Sequence, residues 1–224
     1  MERLTTITKI KEVGIIPVVR SSSARQAIDA VRAIREGGIP VVEITMTVPG
    51  AVEVIREVVR EFGSEVLVGA GTVLDPETAR ACMLAGAEFI VSPALSISTI
   101  EIARRYGKVV MPGALTPTEV VTAWQAGADF VKVFPCGAVG GAKYIKSLKA
   151  PLPQVELVPT GGVNLTTAPD FLTAGAAALG VGAELVDAEA LKSGRFEIVK
   201  ENAEKFAALV AATRNSAARK AHSA

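Results

Sequence analysis

Eight short runs rich in β-branched residues recur along the chain, each followed by an amphipathic stretch, and this alternation narrows the folds open to it. The runs are "GIIPVVR" (14–20), "PVVEITM" (40–46), "EVLVGAG" (65–71), "EFIVSP" (88–93), "KVVMPG" (108–113), "DFVKVFP" (129–135), "VELVPTGG" (155–162) and "AALGVG" (177–182). They begin about 20 to 26 residues apart, the pitch of a repeated β–α unit. Between them, apolar residues fall at helical spacing. Ala27, Ile28, Val31 and Ile34 share one helical face, as do Val52, Ile55, Val59 and Phe62. "LDPET" and "LTPTE" read as helix starts, with Asp75 and Thr116 as caps, proline at the first helical position and an acid in the first turn. Strands joined through helices lie parallel. Eight units in a chain of 224 residues, without a linker or low-complexity segment, predict an α/β fold. The expected form is a single (β/α)8 TIM barrel over residues 1–213, with an extra N-terminal helix at about 2–12. A C-terminal helix is expected over about 195–213, then a polar, frayed tail at 214–224. A doubly wound open sheet is the structural rival.

Composition removes several chemistries. Net charge is +1, and no basic patch is interleaved with aromatics, which argues against nucleic acid. No apolar run approaches the roughly 20 residues of a membrane span. The first residues, "MERLTTITKIKEVG", are too polar for a secretory signal, so the expected location is cytoplasmic. Two cysteines, Cys82 and Cys136, make neither a disulfide framework nor a zinc site. The single histidine, His222, lies in the expected tail. Histidine-dependent nucleophile systems and histidine metal sites therefore lack their parts. Catalysis must run on Lys, Glu, Asp, Arg, Thr, Tyr or backbone groups.

One residue breaks the apolar pattern of its strand. Lys132 sits inside "FVKVF" (130–134), where an unpaired charge costs several kcal/mol. A finer repeat suggests its partner. "REGGIPVVE", "LAGAEFIVS", "QAGADFVKV" and "TAGAAALGV" each stop a helix at glycine and enter an even-numbered strand. Aligned on Gly38, Gly86, Gly127 and Gly175, they place Glu43, Val91, Lys132 and Gly180 at equivalent positions. Alternate strands of a barrel contribute one inward layer. In such a layer Glu43 faces Lys132, directly or through a water, while Val91 and Gly180 leave room. A structural ion pair is the bland alternative. The functional reading is an amine desolvated enough to attack a carbonyl, with a carboxylate to move protons.

Other candidates stand at the ends of the runs. "PTGGVN" and "GVGAEL" follow the seventh and eighth strands, a recurrent place for phosphate on backbone N–H groups, which makes Gly161, Gly162, Gly182 and Ala183 candidates. Ordinary glycine turns would read the same way. Thr72 follows the third strand, and Arg20 ends the first, where a guanidinium suits an anion. Cys136, Trp124 and Phe196 read as packing residues.

"EITMTVPGA", "GAGTVLDPE", "FIVSPAL", "MPGALTPTE", "FVKVFP" and "VPTGGVNL", in this order over roughly residues 5 to 205, resemble the 2-dehydro-3-deoxy-6-phosphogluconate (KDPG/KHG) aldolase family. The resemblance implies a class I aldolase with a (β/α)8 fold, a homotrimer without metal or other cofactor, acting on a small 2-keto-3-deoxy sugar acid phosphate. It implies Lys132 as the Schiff-base lysine and Glu43 as the acid/base. Thr72, Pro93 and Phe134 would line the pyruvate pocket, with Thr47 and Thr160 also contacting substrate. Arg20 and the Gly161–Gly162 turn would hold the distal phosphate. Two positions depart from the pattern. Thr47 stands where some members have an arginine close to the pyruvate carboxylate, and Ala183 stands where the last turn often has serine. The rival functions are another phosphate-binding barrel enzyme and a non-catalytic barrel serving as an assembly scaffold.

Overall fold

The computed structural model describes residues 1–222, in which parallel strands alternate with helices. The strands are β1 (Ile15–Val19), β2 (Val41–Thr45), β3 (Leu67–Gly71), β4 (Phe89–Val91), β5 (Val109–Met111), β6 (Gly113–Ala114), β7 (Val131–Val133), β8 (Leu157–Pro159) and β9 (Leu179–Val181). The helices are α1 (Arg3–Val13), α2 (Ala24–Glu36), α3 (Ala51–Phe62), α4 (Pro76–Ala85), α5 (Ile97–Arg105), α6 (Pro117–Gln125), α7 (Ala142–Lys149), α8 (Ala168–Thr173), α9 (Ala188–Lys192) and α10 (Phe196–His222). Each of the eight predicted runs contains a strand.

The strands form two parallel sheets, ordered β5-β4-β3-β2-β1-β9 and β6-β7-β8. The expected unbroken eight-stranded ladder is thus divided. Its fifth strand is interrupted by Pro112, which has no N–H to give the ladder. The Pro112 carbonyl still accepts from Lys132 N at 2.9 Å. At the other end of the three-stranded sheet, an isolated parallel bridge joins Thr160, just past β8, to Gly180 of β9.

Both sheet faces are apolar, as parallel strands covered on both sides require. One face packs under the helices through residues such as Val42, Ile44, Ala70 and Val133. The other forms a separate cluster that includes Ile16, Val41, Phe89, Phe130 and Val158. Ile10 of α1, fully buried, belongs to this second cluster. Ion pairs hold α1 there: Arg3 reaches Asp129 at 2.6 Å and Lys11 reaches Glu156 at 2.5 Å.

The caps form as their sequences predict. Asp75 accepts from Thr78 N at 2.6 Å ahead of Pro76. Thr116 and Glu119 close a capping box on α6. The C-terminal end differs from expectation. Helix α10 continues to His222, and Arg214, placed by sequence in a frayed tail, is anchored. Its guanidinium donates to the carbonyls of Glu12 at 2.6 Å and Ala177 at 3.3 Å. Trp124, expected to pack, is 43% exposed. No helix among the described residues is long and apolar enough to cross a membrane.

Candidate active site

Lys132 is the middle residue of β7 and is 3% exposed. Its neighbours in register are Gly113 and Val158. The ammonium lies over the Phe134 ring, 5.4 Å from the centroid, a favourable cation–π position. Glu43 occupies the middle of β2, paired in register with Val18 and Gly69, and is also 3% exposed. Its Oε1 is buried without a hydrogen-bond partner, and no ion pair joins it to Lys132. Of the two expected arrangements, direct or through a water, the direct one is therefore not made. What stands in its place is an unpartnered carboxylate oxygen in a buried position, which costs free energy unless something else uses it.

The backbone around Glu43 is shaped to admit it. Gly71, at the end of β3, lies so close that a Cβ there would collide with the Glu43 carboxylate. The next residue, Thr72, has φ 58°, in the left-handed region that threonine rarely enters. Such strain persists where surrounding structure imposes it, commonly at functional sites. Gly180 tells a different story from the one its register suggests. A Cβ on Gly180 would meet Thr160 Oγ1, so its missing side chain makes room for Thr160.

A cavity of about 240 Å³ opens at the C-terminal ends of the strands. Arg20, Phe134, Thr160, Gly161, Gly162 and Gly182 line it. Ala183, Val18, Val163, Gly180 and Glu184 complete the lining. Gly161 and Gly162 have φ of 85° and 80°, a turn open to glycine without strain. The Gly161 carbonyl accepts from Gly137 N at 2.9 Å, which ties this turn to the loop after β7. Among the described residues, the N–H groups of Gly162, Ala183 and Glu184 donate to no backbone carbonyl. Arg20 is exposed at the rim and forms no ion pair among the described residues.

The candidates thus fall into two groups. Seven of them, Arg20, Phe134, Thr160, Gly161, Gly162, Gly182 and Ala183, share this cavity. Lys132 and Glu43, in the middle of their strands, and Thr47, Thr72 and Pro93, just beyond strand ends, lie outside its lining. Phe134 links the groups, since it lines the cavity and carries the Lys132 ammonium. Pro93 is half-buried in a turn fixed by Ser92, whose hydroxyl donates to the Ala94 carbonyl at 2.6 Å. Thr47 is exposed, and its hydroxyl lies 2.7 Å from that of Thr45. Sequence reasoning missed Thr45, Gly71 and Glu184. Thr45 carried a signal, two residues after Glu43 on the same strand face. Gly71 carried none, because its closeness to Glu43 depends on tertiary geometry.

Cys136 is fully buried beside this site, and desolvation pushes its thiol up to about 11. It is a thiol and not a nucleophilic thiolate at neutral pH, in keeping with a packing role. Among the described residues, no group of three or more His, Cys, Asp and Glu side chains could hold a metal ion. A larger groove of about 460 Å³, between α2 and α10, is remote from these residues.

The family model described as "KDPG and KHG aldolase" matches residues 6–201. The chain is 36% identical over 203 residues to the 2-dehydro-3-deoxy-6-phosphogalactonate aldolase of Escherichia coli, covering 90% of this chain and 95% of that one. The KHG/KDPG aldolase of the same organism is 32% identical, with 82% and 85% covered. Among solved structures, the KDPG aldolase of Legionella pneumophila, with pyruvate captured at low pH as a covalent carbinolamine, superposes with a TM-score of 0.83. It is 28% identical, over 89% of this chain and 96% of that one.

Proposed function

The chain belongs to the KDPG and KHG aldolase family and is therefore a lyase, and from that premise we propose that it cleaves 2-keto-3-deoxy-6-phosphogluconate to pyruvate and glyceraldehyde 3-phosphate through an imine on Lys132. The observation that carries the reading is a buried Lys132 amine and a buried, unpartnered carboxylate oxygen on Glu43, each in the middle of its strand and neither paired with the other. The carbinolamine in the Legionella relative supports it, since a carbinolamine forms when an amine adds to a ketone.

In this mechanism Lys132 Nζ attacks the C2 carbonyl carbon. Loss of water leaves an iminium, an electron sink. Glu43 removes the proton of the C4 hydroxyl. The C3–C4 bonding pair then moves toward the iminium nitrogen, and glyceraldehyde 3-phosphate leaves as the new aldehyde. The enamine takes a proton at C3, and water hydrolyses the resulting iminium to pyruvate and free lysine. One carboxylate serves several steps because the proton transfers occur in sequence. Thr72, Pro93 and Phe134 surround the pyruvate half. Arg20, the Gly161–Gly162 turn and the Gly182–Ala183 turn take the distal phosphate, with unpaired N–H groups and one cation available. Thr160 and Thr47 contact the chain between.

The 36% identity to a phosphogalactonate aldolase favours a second reading, the same cleavage of the C4 epimer. The shorter 4-hydroxy-2-oxoglutarate is a third possible substrate within the family. A panel of aldehydes presented with pyruvate, with the configuration at C4 of each adduct determined, separates them. Failure of every aldehyde to give an adduct would refute the reading.

We also read the two sheets as one (β/α)8 barrel. Only Pro112 separates β5 from β6, and the Thr160–Gly180 bridge spans the other seam. Such closure places all strand ends around one mouth.

A further inference from the structure

The cavity at the strand ends has two charged residues in its lining, Arg20 and Glu184. One is a cation and the other an anion, so the side chains around it carry no net charge. Both are exposed at the rim, and among the described residues neither makes an ion pair.

The backbone fixes where Glu184 stands. Leu185 N and Val186 N donate to the Gly182 carbonyl at 3.0 Å and 2.9 Å, which closes the turn after β9. Leu185 and Val186 are buried and hold the turn against the core. Asn202 of α10 donates to the Leu185 carbonyl at 3.4 Å. Glu184 sits inside this turn, between Ala183 and Leu185. The N–H groups of Ala183 and Glu184 donate to no backbone carbonyl, and Ala183 has no hydroxyl to add to them. The turn thus offers an anion two N–H dipoles and sets a carboxylate beside them.

A phosphate monoester carries a charge of about −1.5 to −2 at neutral pH. Arg20 and the N–H groups attract it, whereas the Glu184 carboxylate repels it. An aldehyde that ends in a hydroxyl carries no charge for either to act on. We infer that Glu184 is a specificity-determining residue for the far end of the aldehyde half, a fixed negative charge that holds down the cavity's preference for a phosphorylated over an unphosphorylated aldehyde. The inference rests on the aldolase reading and on the placing of the distal phosphate in this cavity. It widens the substrate class, because phosphorylated and unphosphorylated 2-keto-3-deoxy acids then share one site.

The test is aldol addition of pyruvate to glyceraldehyde 3-phosphate and to glyceraldehyde. The readout is the ratio of the two kcat/KM values. Glu184→Gln, which keeps the shape, raises the ratio about two- to tenfold, the worth of one exposed charge acting on a dianion. The gain falls in the KM for glyceraldehyde 3-phosphate. Glu184→Lys raises the ratio further. The gap between Glu184→Gln and the unaltered chain closes as sodium chloride is raised from about 0.01 M to about 1 M, where the screening length falls from about 30 Å to about 3 Å. An unchanged ratio in Glu184→Gln overturns the inference, and so does a rise that salt leaves untouched, which would mark a change of shape. Arg20→Gln is run beside it and lowers the ratio. Sensitivity at Arg20 without sensitivity at Glu184 refutes the role of Glu184 alone. Sensitivity at neither removes the phosphate from this cavity, and the inference with it. Borohydride trapping of pyruvate on the unaltered chain separates both from the chemistry beneath them, since absent trapping refutes the aldolase reading itself.

Discussion

Glu43 and Lys132 are both 3% exposed, yet neither neutralises the other directly. A structural ion pair would close the gap, since two buried charges gain most at contact. Held apart, each has lone pairs or protons left for a substrate. Glu43→Gln keeps the shape and removes the base, so kcat falls by about 10²–10⁴ with the fold intact, as steady-state kinetics and circular dichroism together would record. Near-normal turnover would make the glutamate structural. Gly71→Ala probes the same group from outside: its Cβ takes the space of the carboxylate, and kcat falls at least about tenfold, as a displaced acid/base loses its reach. Both charged residues were legible in the sequence because each interrupts an apolar strand. Their separation was not, since strand register gives the facing of side chains but not the gap between their tips. Gly180 was legible only in part. It lines the cavity, but a Cβ there would meet Thr160, its neighbour across the bridge, a contact that the alignment of glycines did not foresee.

At the level of elements, caps were the most legible feature because their chemistry is local. Backbone N–H groups of Thr116 and Leu115 hold the Glu119 carboxyl below its ordinary 4.5. The unfolded chain therefore takes up this proton at higher pH than the fold does. The stabilisation is complete above about pH 4.5 and shrinks as pH falls through the lower folded value. Glu119→Gln flattens that part of the stability-versus-pH curve, measured by urea unfolding between neutral and acidic pH. A curve parallel to that of the unaltered chain would contradict the cap's role. Asp129 was less visible, although it binds three elements. It accepts from Val110 N at 3.0 Å and pairs with Arg3 at 2.6 Å and Arg104 at 3.6 Å, while its side chain is 2% exposed. Asp129→Ala leaves the Val110 N–H without its acceptor and costs about 1–3 kcal/mol in urea unfolding. The break at Pro112 was missed because a proline near a strand end is equally compatible with a turn. The end of α10 was missed because a polar, alanine-rich segment reads equally as a tail, and the anchor, Arg214, acts on carbonyls distant in sequence.

For the whole molecule, the alternation of strand and helix placed every site candidate at or beyond a strand's C-terminal half, where parallel α/β folds gather their chemistry. That regularity made the family resemblance and the site's general location legible together. Substrate identity was not, because residues from separate strand ends, Arg20 and Glu184 among them, meet around the cavity only in the folded chain. The account also predicts a homotrimer in solution, which light scattering would read as about three times the 23.2 kDa chain. A monomer would leave the catalytic account intact and remove the assembly from it. The central claim concerns one nitrogen atom. The chain is incubated with pyruvate, reduced with borohydride, digested and examined by mass spectrometry. The account predicts a single reduced pyruvate adduct on the peptide containing Lys132, absent from Lys132→Ala. An adduct on another lysine, or none on the unaltered chain, would contradict it.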